Sequence, residues 1–300
     1  MTATATRPAP PQSVRAPRTG AVKTPLWSRL VPTLVLLIGA VYCLIPVAWV
    51  FVATTKSREE LFTTFTFAPG SGLFENLGAL FAYGNGQFGL WAANSLFYAG
   101  LGALLSTFVS AMAGYALAKY EFRGRSLIFY SILAGVLIPG ITLAVPQYLL
   151  LSQIGLAGTP LSVLLPCIIS PFGIYLSRVY ALSAVPQETI EAARIDGASE
   201  WRIFQSIAVP LLLPGMVTVF LLQFIGIWNN FLLPYIMLSD QDNYPLTVGL
   251  YTLLAKGSGS PALYSLAIAG AAVSIIPLVA LVLFLQRYWR LDLISGGLKG

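Results

Sequence analysis

The sequence predicts an all-α polytopic membrane protein with six transmembrane helices and a further cytoplasmic helix between the fourth and the fifth. Its composition is the first reason. Hydrophobic residues make up 57% of the 300 positions and charged residues 9%, whereas soluble domains average about 45–50% apolar and about 25% charged residues. The mean hydropathy is +0.78. The second reason is that long uncharged apolar runs recur along the chain, so a water-soluble globule is disfavoured.

Six of these runs are long enough to cross a hydrocarbon layer of about 30 Å, which takes roughly 20 helical residues. They cover residues 30–55, 91–118, 126–151, 161–177, 211–238 and 263–285. The fourth run is the shortest, and it lengthens if the helix continues past Arg178, whose long side chain can reach the interface. The first run is longer than the apolar stretch of a signal peptide, so we expect an uncleaved helix.

The positions of Lys and Arg predict the orientation, because cytoplasmic flanks retain positive charge. Only Lys56, Arg58 and Lys256 fall on one side of the predicted bundle. The other Lys and Arg residues fall on the opposite side: Arg7, Arg15, Arg18, Lys23, Arg29, Lys119, Arg123, Arg125, Arg178, Arg194, Arg202, Arg287, Arg290 and Lys299. Both termini are therefore expected in the cytoplasm. The net charge of +6 is a topology signal, and no nucleic-acid partner is expected.

Two further patterns concern the arrangement of the chain. Residues 1–25 are rich in Pro, Ala, Thr and Arg, which predicts a disordered cytoplasmic tail. The second run carries a small residue at every fourth position, and such a stripe lets a neighbouring helix backbone approach closely. These residues are Gly102, Ser106, Ser110, Gly114 and Ala118. We therefore expect this face of the second helix to pack against another helix.

Proline interrupts most of the runs. Each proline removes a backbone N–H and frees a carbonyl, which must find a partner in a neighbouring helix or a water-lined cavity. The residues concerned are Pro46, Pro139, Pro146, Pro166, Pro171, Pro234 and Pro277. Broken helices of this kind suit a moving machine, although rigid bundles also contain kinks.

The polar groups of the runs are uncharged. No Asp, Glu, Lys or Arg falls within any of the six runs, whereas proton relays commonly hold ionisable groups at membrane depth. A proton-driven carrier is therefore disfavoured, while sodium coupling through carbonyls stays open. Gln147 is one prominent amide, and the candidate residues of a solute path are Asn94, Gln223, Trp228, Asn229 and Asn230. Amides and aromatic edges suit a neutral hydroxylated solute.

The chain lacks the residues for driving transport or catalysis by itself. It contains no His, the commonest general base and metal ligand. No lysine lies in a GxxxxGK[ST] arrangement, so no P-loop is present to hold nucleotide phosphates. Cys43 and Cys167 lie in apolar runs and are expected to be small buried hydrophobic residues. Energy must therefore come from a partner.

The polar stretch 188–210 reads ETIEAARIDGASEWRIFQSIAVP and lies between the fourth and fifth runs. Pro186 fits the first turn of a helix. Glu191 and Arg194 lie three residues apart and are expected to pair on one face, while Ile190 and Ala193 line another. Gly197 fits the helix C-terminus, where a left-handed residue is needed.

A second short helix is expected directly after this glycine. Ser199 can cap it, and Ile203, Phe204 and Ile207 form its apolar edge. The stretch therefore predicts a rigid helix–glycine–helix unit over residues 186–210. The alternative is an amphipathic loop lying on the membrane surface.

The same stretch resembles the signature loop of the membrane subunits of bacterial ABC importers. That signature is EAA, three residues, Gly, nine residues and then I-x-L-P. Here it consists of Glu191, Ala192, Ala193, Gly197, Ile207, Val209 and Pro210, with Val in place of Leu. The longer EAARIDGAS resembles the carbohydrate-uptake branch. GYALAKYEFRGR at 114–125, VPQYLLLSQIGLAGTPLSVLLP at 145–166 and SGGLKG at 295–300 are similar to maltose-type permeases.

The resemblance covers residues 26–300 and implies a type I ABC importer transmembrane domain. In that family the loop at 186–210 is a coupling helix that seats in a cleft of the ATPase subunit. By resemblance, its ATPase contacts are Glu191, Ala192, Ala193, Asp196 and Gly197. The family often places an acid two residues after the tryptophan at Trp228; Asn230 stands there instead and removes a possible intramembrane charge.

The resemblance also implies partners and a location. We expect a second homologous permease, two ATPase subunits that bind ATP and Mg, and an extracytoplasmic solute-binding protein that meets the outer loops 56–90 and 239–262. The expected setting is the bilayer of a bacterial inner membrane, and no cofactor is expected on this chain. The expected function is that of a non-catalytic permease subunit of an ATP-driven importer of sugars, either oligosaccharides or polyols. Alternatives are a permease for another polar solute such as a glycerol phosphate ester, an ion-coupled secondary carrier, and a membrane-embedded enzyme.

Overall fold

A computed structural model describes residues 27–63, 66–257 and 260–288. Within these ranges the chain forms helices and no strand, which confirms the all-α prediction. The helices are α1 (Trp27–Thr55), α2 (Arg58–Thr63), α3 (Leu73–Ala82), α4 (Gln87–Lys119), α5 (Arg125–Val136), α6 (Gly140–Gln153), α7 (Pro160–Ile168), α8 (Pro171–Ala184), α9 (Gln187–Ile195), α10 (Glu200–Ile203), α11 (Val209–Trp228), α12 (Leu232–Met237), α13 (Leu246–Gly257) and α14 (Pro261–Leu285). The predicted tail 1–25, the ending 295–300, Arg290 and Lys299 lie outside the described residues.

The membrane spans agree with the predicted bundle once one bent pair is counted as a single span. In the described ranges, five helices are long and apolar enough to cross a membrane: Leu30–Thr55, Gln87–Lys119, Pro160–Ala184, Glu200–Trp228 and Pro261–Leu285. The sixth is the pair α5 and α6, which meet at 104°. The bend lies at Pro139, where the chain is extended. The fourth span continues past Arg178 to Ala184, as expected.

The fifth predicted run, 211–238, is wrong as a single helix. The helix ends at Trp228 and a separate short helix, α12, follows. The reason lies in two amide side chains, which bond the backbone locally and so compete with helix continuation. The Nδ2 of Asn229 donates to the carbonyl of Ile225 at 2.9 Å, and the Oδ1 of Asn230 accepts from the N–H of Leu233 at 3.3 Å.

The chain divides into two compact units, residues 1–47 and residues 48–300. The described part of the first unit, residues 27–47, is helical. Cys43 is exposed there, so the expected burial of its thiol is wrong. A surface that faces lipid accepts a small apolar side chain without burial, because lipid tails are themselves apolar.

In the second unit α4 is the central helix and packs against α7, α8 and α11. At 33 residues it is about 50 Å long, from its rise of about 1.5 Å per residue. Separate apolar clusters surround its two ends. The N-terminal cluster includes Phe88, Trp91, Ala99, Phe224, Trp228, Leu246 and Leu253. The C-terminal cluster includes Tyr115, Ala118, Ala181, Val185, Ile190, Ile203, Phe204 and Leu212.

The small-residue stripe on α4 is confirmed as a packing face. All five of its residues are buried. A Cβ built on Gly114 would lie 2.6 Å from the backbone nitrogen of Arg178 in α8, and the Oγ of Ser110 lies against Gly173 of the same helix. The two backbones therefore approach more closely than a methyl group at position 114 allows.

The close approach of α4 and α8 gives a test of this packing. Gly114→Ala should lower the melting temperature of the purified protein, because overpacking costs about 1–3 kcal/mol and exceeds the gain of about 0.5–1 kcal/mol from replacing a helical glycine. Gly100→Ala in the same helix is the matched control, since a Cβ there meets nothing within 4 Å. It should leave the melting temperature unchanged or raise it. Equal effects of both substitutions would contradict the packing.

Candidate functional site

The stretch that resembles the importer signature folds as a helix, a glycine turn and a second helix, as the sequence predicts. The first helix, α9, begins after Pro186 and carries Glu188 in its first turn and Arg194 in its last. A negative charge near the N-terminus and a positive charge near the C-terminus interact favourably with the helix dipole, so both residues stabilise α9. Ile190 is fully buried and Ala193 is 9% exposed, and both pack into the cluster at the C-terminal end of α4.

A Schellman motif ends α9. The N–H of Ala198 donates to the carbonyl of Ala193, and the N–H of Gly197 donates to the carbonyl of Arg194, both at 3.0 Å. This pattern requires a left-handed residue at position 197, and Gly197 has φ of +79°. The glycine predicted at the helix terminus therefore sets the angle between the two helices.

The second helix is continuous with a membrane span. Ser199 caps it, with its Oγ accepting from the N–H of Arg202 at 3.4 Å. From Glu200 the helix passes through a π-helical segment at Phe204–Ala208 into α11, without a break before Trp228. Only Ala198 and Ser199 separate the turn at Gly197 from the helix that contains the fifth span.

The expected pairing of Glu191 with Arg194 is wrong. The Nε of Arg194 lies 2.7 Å from the Oε1 of Glu200, while Glu191 accepts a longer bond of 3.3 Å from Gln187. The turn at Gly197 brings Glu200 within reach of Arg194. The hydroxyl of Tyr120 donates to the other oxygen of Glu200 at 2.7 Å.

The electrostatics of this cluster follow from its contacts. Burial raises the pKa of the Tyr120 phenol, and its bond to Glu200 raises the pKa further. The hydrogen bond to Glu200 raises the pKa of the Arg194 guanidinium. The tyrosine thus stays a hydrogen-bond donor and the arginine stays charged throughout the physiological pH range.

A second candidate site lies where three spans are interrupted. A cavity of about 400 Å³ is lined by residues from the α5–α6 bend, from the end of α7 and from the α11–α12 junction. We call it the helix-break cavity. Its lining residues are Gly140, Ile141, Leu143, Ala144, Gln147, Pro166, Cys167, Asn230, Leu232 and Leu233. None of these carries a charge, and its polar side chains are two amides and a thiol.

The break between α7 and α8 is braced by a side chain from α11. The Oγ of Ser170 accepts from the N–H of Gly173 at 3.0 Å and caps α8. The Nε2 of Gln223 donates to the same oxygen at 2.6 Å. Interrupted helices are tolerated at membrane depth where neighbouring groups satisfy the freed backbone, and Gln223 supports this one.

Residues 106–291 match the family model described as binding-protein-dependent transport system inner membrane component. The chain belongs to this family. Arabinooligosaccharides transport system permease protein AraQ of Halalkalibacterium halodurans is 35% identical over 85% of this chain and 91% of its own length. Diacetylchitobiose uptake system permease protein NgcG of Streptomyces coelicolor is 31% identical over 84% of this chain and 83% of its own length.

The fold of this permease also occurs in a solved structure. A bacterial ABC transporter involved in the import of the acidic polysaccharide alginate contains a chain that matches with a TM-score of 0.75. The match covers 88% of this chain and 97% of that chain, at 24% identity. The likeness concerns the fold. Membership of the permease family and the long apolar helices together make this chain a multi-pass membrane protein.

Most of the predicted coupling residues lie at the permease surface. Glu191, Ala192, Asp196 and Gly197 are exposed, whereas Ala193 packs inside against its own chain. Sequence reasoning missed Ile195, which is 87% exposed on α9. It lies five residues after the buried Ile190, which places it on the opposite side of the helix. This spacing in the sequence could have indicated that Ile195 is exposed. An exposed large apolar side chain beside charged ones is typical of an interface centre.

The predicted solute-path residues are not brought together. Asn230 lines the helix-break cavity with Gln147, and Gln223 braces the nearby break. Asn94 donates to the carbonyls of Asp242 and Tyr244 at 2.7 and 3.1 Å and anchors the segment before α13. Trp228 is 5% exposed, in the N-terminal cluster of α4, and Asn229 is exposed at the end of α11. A role of these residues in the solute path stays a prediction.

The turn at Gly197 gives a test of the coupling geometry. Gly197→Val should reduce binding of the ATPase subunit, because a β-branched residue at positive φ is strained and would reorient α9. Gly197→Asn is the matched control, since Asn tolerates the left-handed conformation and a side chain at this position meets nothing within 4 Å. Co-purification of the ATPase with each variant measures the effect. Equal loss for Val and Asn would show that the side chain blocks contact and that backbone strain is not the cause.

Proposed function

We propose that this chain is one permease subunit of an ATP-driven importer of neutral oligosaccharides in a bacterial cell membrane. A second homologous permease, two ATPase subunits that bind ATP and Mg, and an extracytoplasmic binding protein complete the complex. The chain itself performs no covalent chemistry. Both of its termini and α9 lie on the cytoplasmic side, which the distribution of Lys and Arg supports.

The helix–glycine–helix unit over residues 186–210, which we call the coupling element, carries this proposal. It presents an exposed face at Glu191, Ala192, Ile195 and Asp196, while its opposite face is packed on α4 and its second helix continues into α11. Closure of the ATPase dimer on ATP would draw the two coupling elements of the complex together. Because the element is continuous with a span, the bundle would turn from an inward-facing to an outward-facing state.

The uncharged helix-break cavity supports a neutral solute. Relatives of this chain are named for arabinooligosaccharides, diacetylchitobiose and lactose, and others, at 29% identity, for sn-glycerol-3-phosphate. A phosphate ester carries about 1.5 to 2 negative charges at neutral pH. No cationic side chain lines the cavity, whereas Gln147 and Asn230 offer the donors and acceptors that sugar hydroxyls need.

Uptake by the reconstituted complex tests the solute class. The complex with its binding protein should take up an arabinooligosaccharide in the presence of ATP, and should take up sn-glycerol 3-phosphate at a background rate. Radiolabelled solute inside proteoliposomes measures both. Preferential uptake of the phosphate ester would overturn the sugar assignment, and uptake driven by a sodium gradient without ATP would overturn the energy source.

Labelling of Cys167 tests whether the helix-break cavity belongs to the solute path. In a Cys43→Ser background, a small neutral thiol reagent should modify Cys167 and reduce uptake, and excess sugar with the binding protein should slow the modification. The double variant Cys43→Ser/Cys167→Ser is the control and should resist the reagent. Labelling that leaves uptake unchanged would remove the cavity from the path.

A further inference from the structure

A polar cluster ties the coupling helix to two membrane helices. We define it as Tyr120, Glu200 and Arg194. Arg194 donates to Glu200 through Nε at 2.7 Å and through Nη2 at 3.2 Å. Tyr120 donates to Glu200 at 2.7 Å, and the guanidinium of Arg194 lies 5.8 Å from the centre of the Tyr120 ring. One carboxylate therefore joins a cation and a phenol.

The three side chains come from three different elements. Arg194 lies in the last turn of α9, and Glu200 is the first residue of the helix that continues into α11. Tyr120 is the C-cap residue of α4 and directly follows Lys119. The cluster is thus the point where the coupling helix, the central helix and the fifth span meet.

Behind Tyr120 the structure is firmly packed. Its ring packs edge-on against the ring of Tyr115, with 5.6 Å between the ring centroids. The ring centroids of Tyr115 and Phe204, in the π-helical segment, lie 5.4 Å apart. Arg125 donates to the carbonyls of Leu117 and Ala118 at 2.9 and 3.2 Å, which fixes the end of α4. Force applied at Tyr120 therefore acts on the backbone of α4.

Exposure argues against a role in folding stability. The side chains of Arg194 and Glu200 are 36% and 49% exposed, and exposed pairs add little to stability. The buried contacts of Ile190 and Ala193 already hold α9 against the bundle. Those apolar contacts are non-directional. The bidentate ion pair of Arg194 with Glu200 and the charge-assisted hydrogen bond from Tyr120 instead fix the orientation of α9.

We propose that Tyr120, Glu200 and Arg194 are positioning residues that transmit the movement of α9 to α4 and α11. The apolar face keeps α9 attached, and the cluster sets the direction in which it pulls. The proposal rests on the proposed function, because it concerns the same coupling element. It adds an intrasubunit link, which carries the ATPase movement beyond the docking surface.

The test compares Glu200→Gln and Tyr120→Phe with Glu121→Gln, a control that removes an exposed carboxylate next to the cluster but outside the coupling element. In the reconstituted complex, both cluster variants should assemble and melt like the wild type. Arabinooligosaccharide uptake per ATP hydrolysed should fall by roughly two- to thirtyfold, the range typical of residues that couple two sites. Glu121→Gln should keep the wild-type ratio.

A charge reversal separates positioning from simple damage. Arg194→Glu and Glu200→Arg should each lower uptake per ATP, and the double variant should restore the ratio toward the wild type. Ratios that stay at the wild-type value in the single variants would overturn the proposal. Loss of assembly in every cluster variant would also overturn it, because the cluster would then be needed for folding.

Failure of the proposed function is read separately from failure of the cluster. Absence of sugar uptake by the wild-type complex overturns the solute class. In that case the cluster is judged by ATP hydrolysis stimulated by the binding protein, which should be lower for Glu200→Gln than for Glu121→Gln. Equal stimulation in these two variants overturns the positioning role whatever the solute.

Discussion

In a hydrocarbon layer, backbone N–H and C=O groups must find partners within the protein, and this constraint governs where the spans of this permease can break. At Ser170 the side chain of Gln223 donates to the capping hydroxyl, and at Asn230 the hydroxyl of Thr247 donates to the backbone carbonyl. At Pro139 the carbonyl accepts from the N–H of Thr142, in the first turn of α6. Asn230 itself lines the helix-break cavity, as do Gly140, directly after Pro139, and Cys167, three residues before Ser170. Irregular backbone is thereby concentrated around one uncharged space, while α4 stays an unbroken helix that the others pack against.

The close contact of α4 with α8 gives the two candidate sites a common frame. The coupling element packs against the C-terminal end of α4, and Leu233 and Cys167 of the helix-break cavity pack in one cluster with Tyr98 of the same helix. Because Gly114 allows backbone contact with α8, these helices leave little room to slide. A movement of α9 would therefore shift them together, which favours rocking of a rigid bundle over bending of a single helix.

Local features were predictable from the sequence, whereas contacts that form only after the chain has folded were not. The left-handed Gly197, the Ser199 cap and the small-residue stripe each follow from one residue type or one spacing, and all are confirmed. The partner of Arg194 was mistaken because helix spacing places Glu191 nearby, while only the folded turn brings Glu200 closer. The prolines were a mixed guide: Pro139 lies at a break, whereas the expected interruptions at Pro46 and Pro277 are wrong, because both lie inside continuous helices. No pattern along the chain shows which breaks lie near one cavity.

The distribution of charge connects the two ends of the mechanism. A carboxylate or guanidinium at the helix-break cavity would attract a counter-ion or a charged solute and would be costly at membrane depth, and the cavity lining has neither. At the coupling element charged side chains cost little free energy, because Arg194 and Glu200 are partly exposed and water solvates them. Directional bonds between the two are therefore retained there. The proposed solute path, which would select by hydrogen bonding, and the proposed transmission contact, which would rely on charge, thus lie in the environments that suit each interaction. This separation explains why so apolar a chain gathers charges between its fourth and fifth spans.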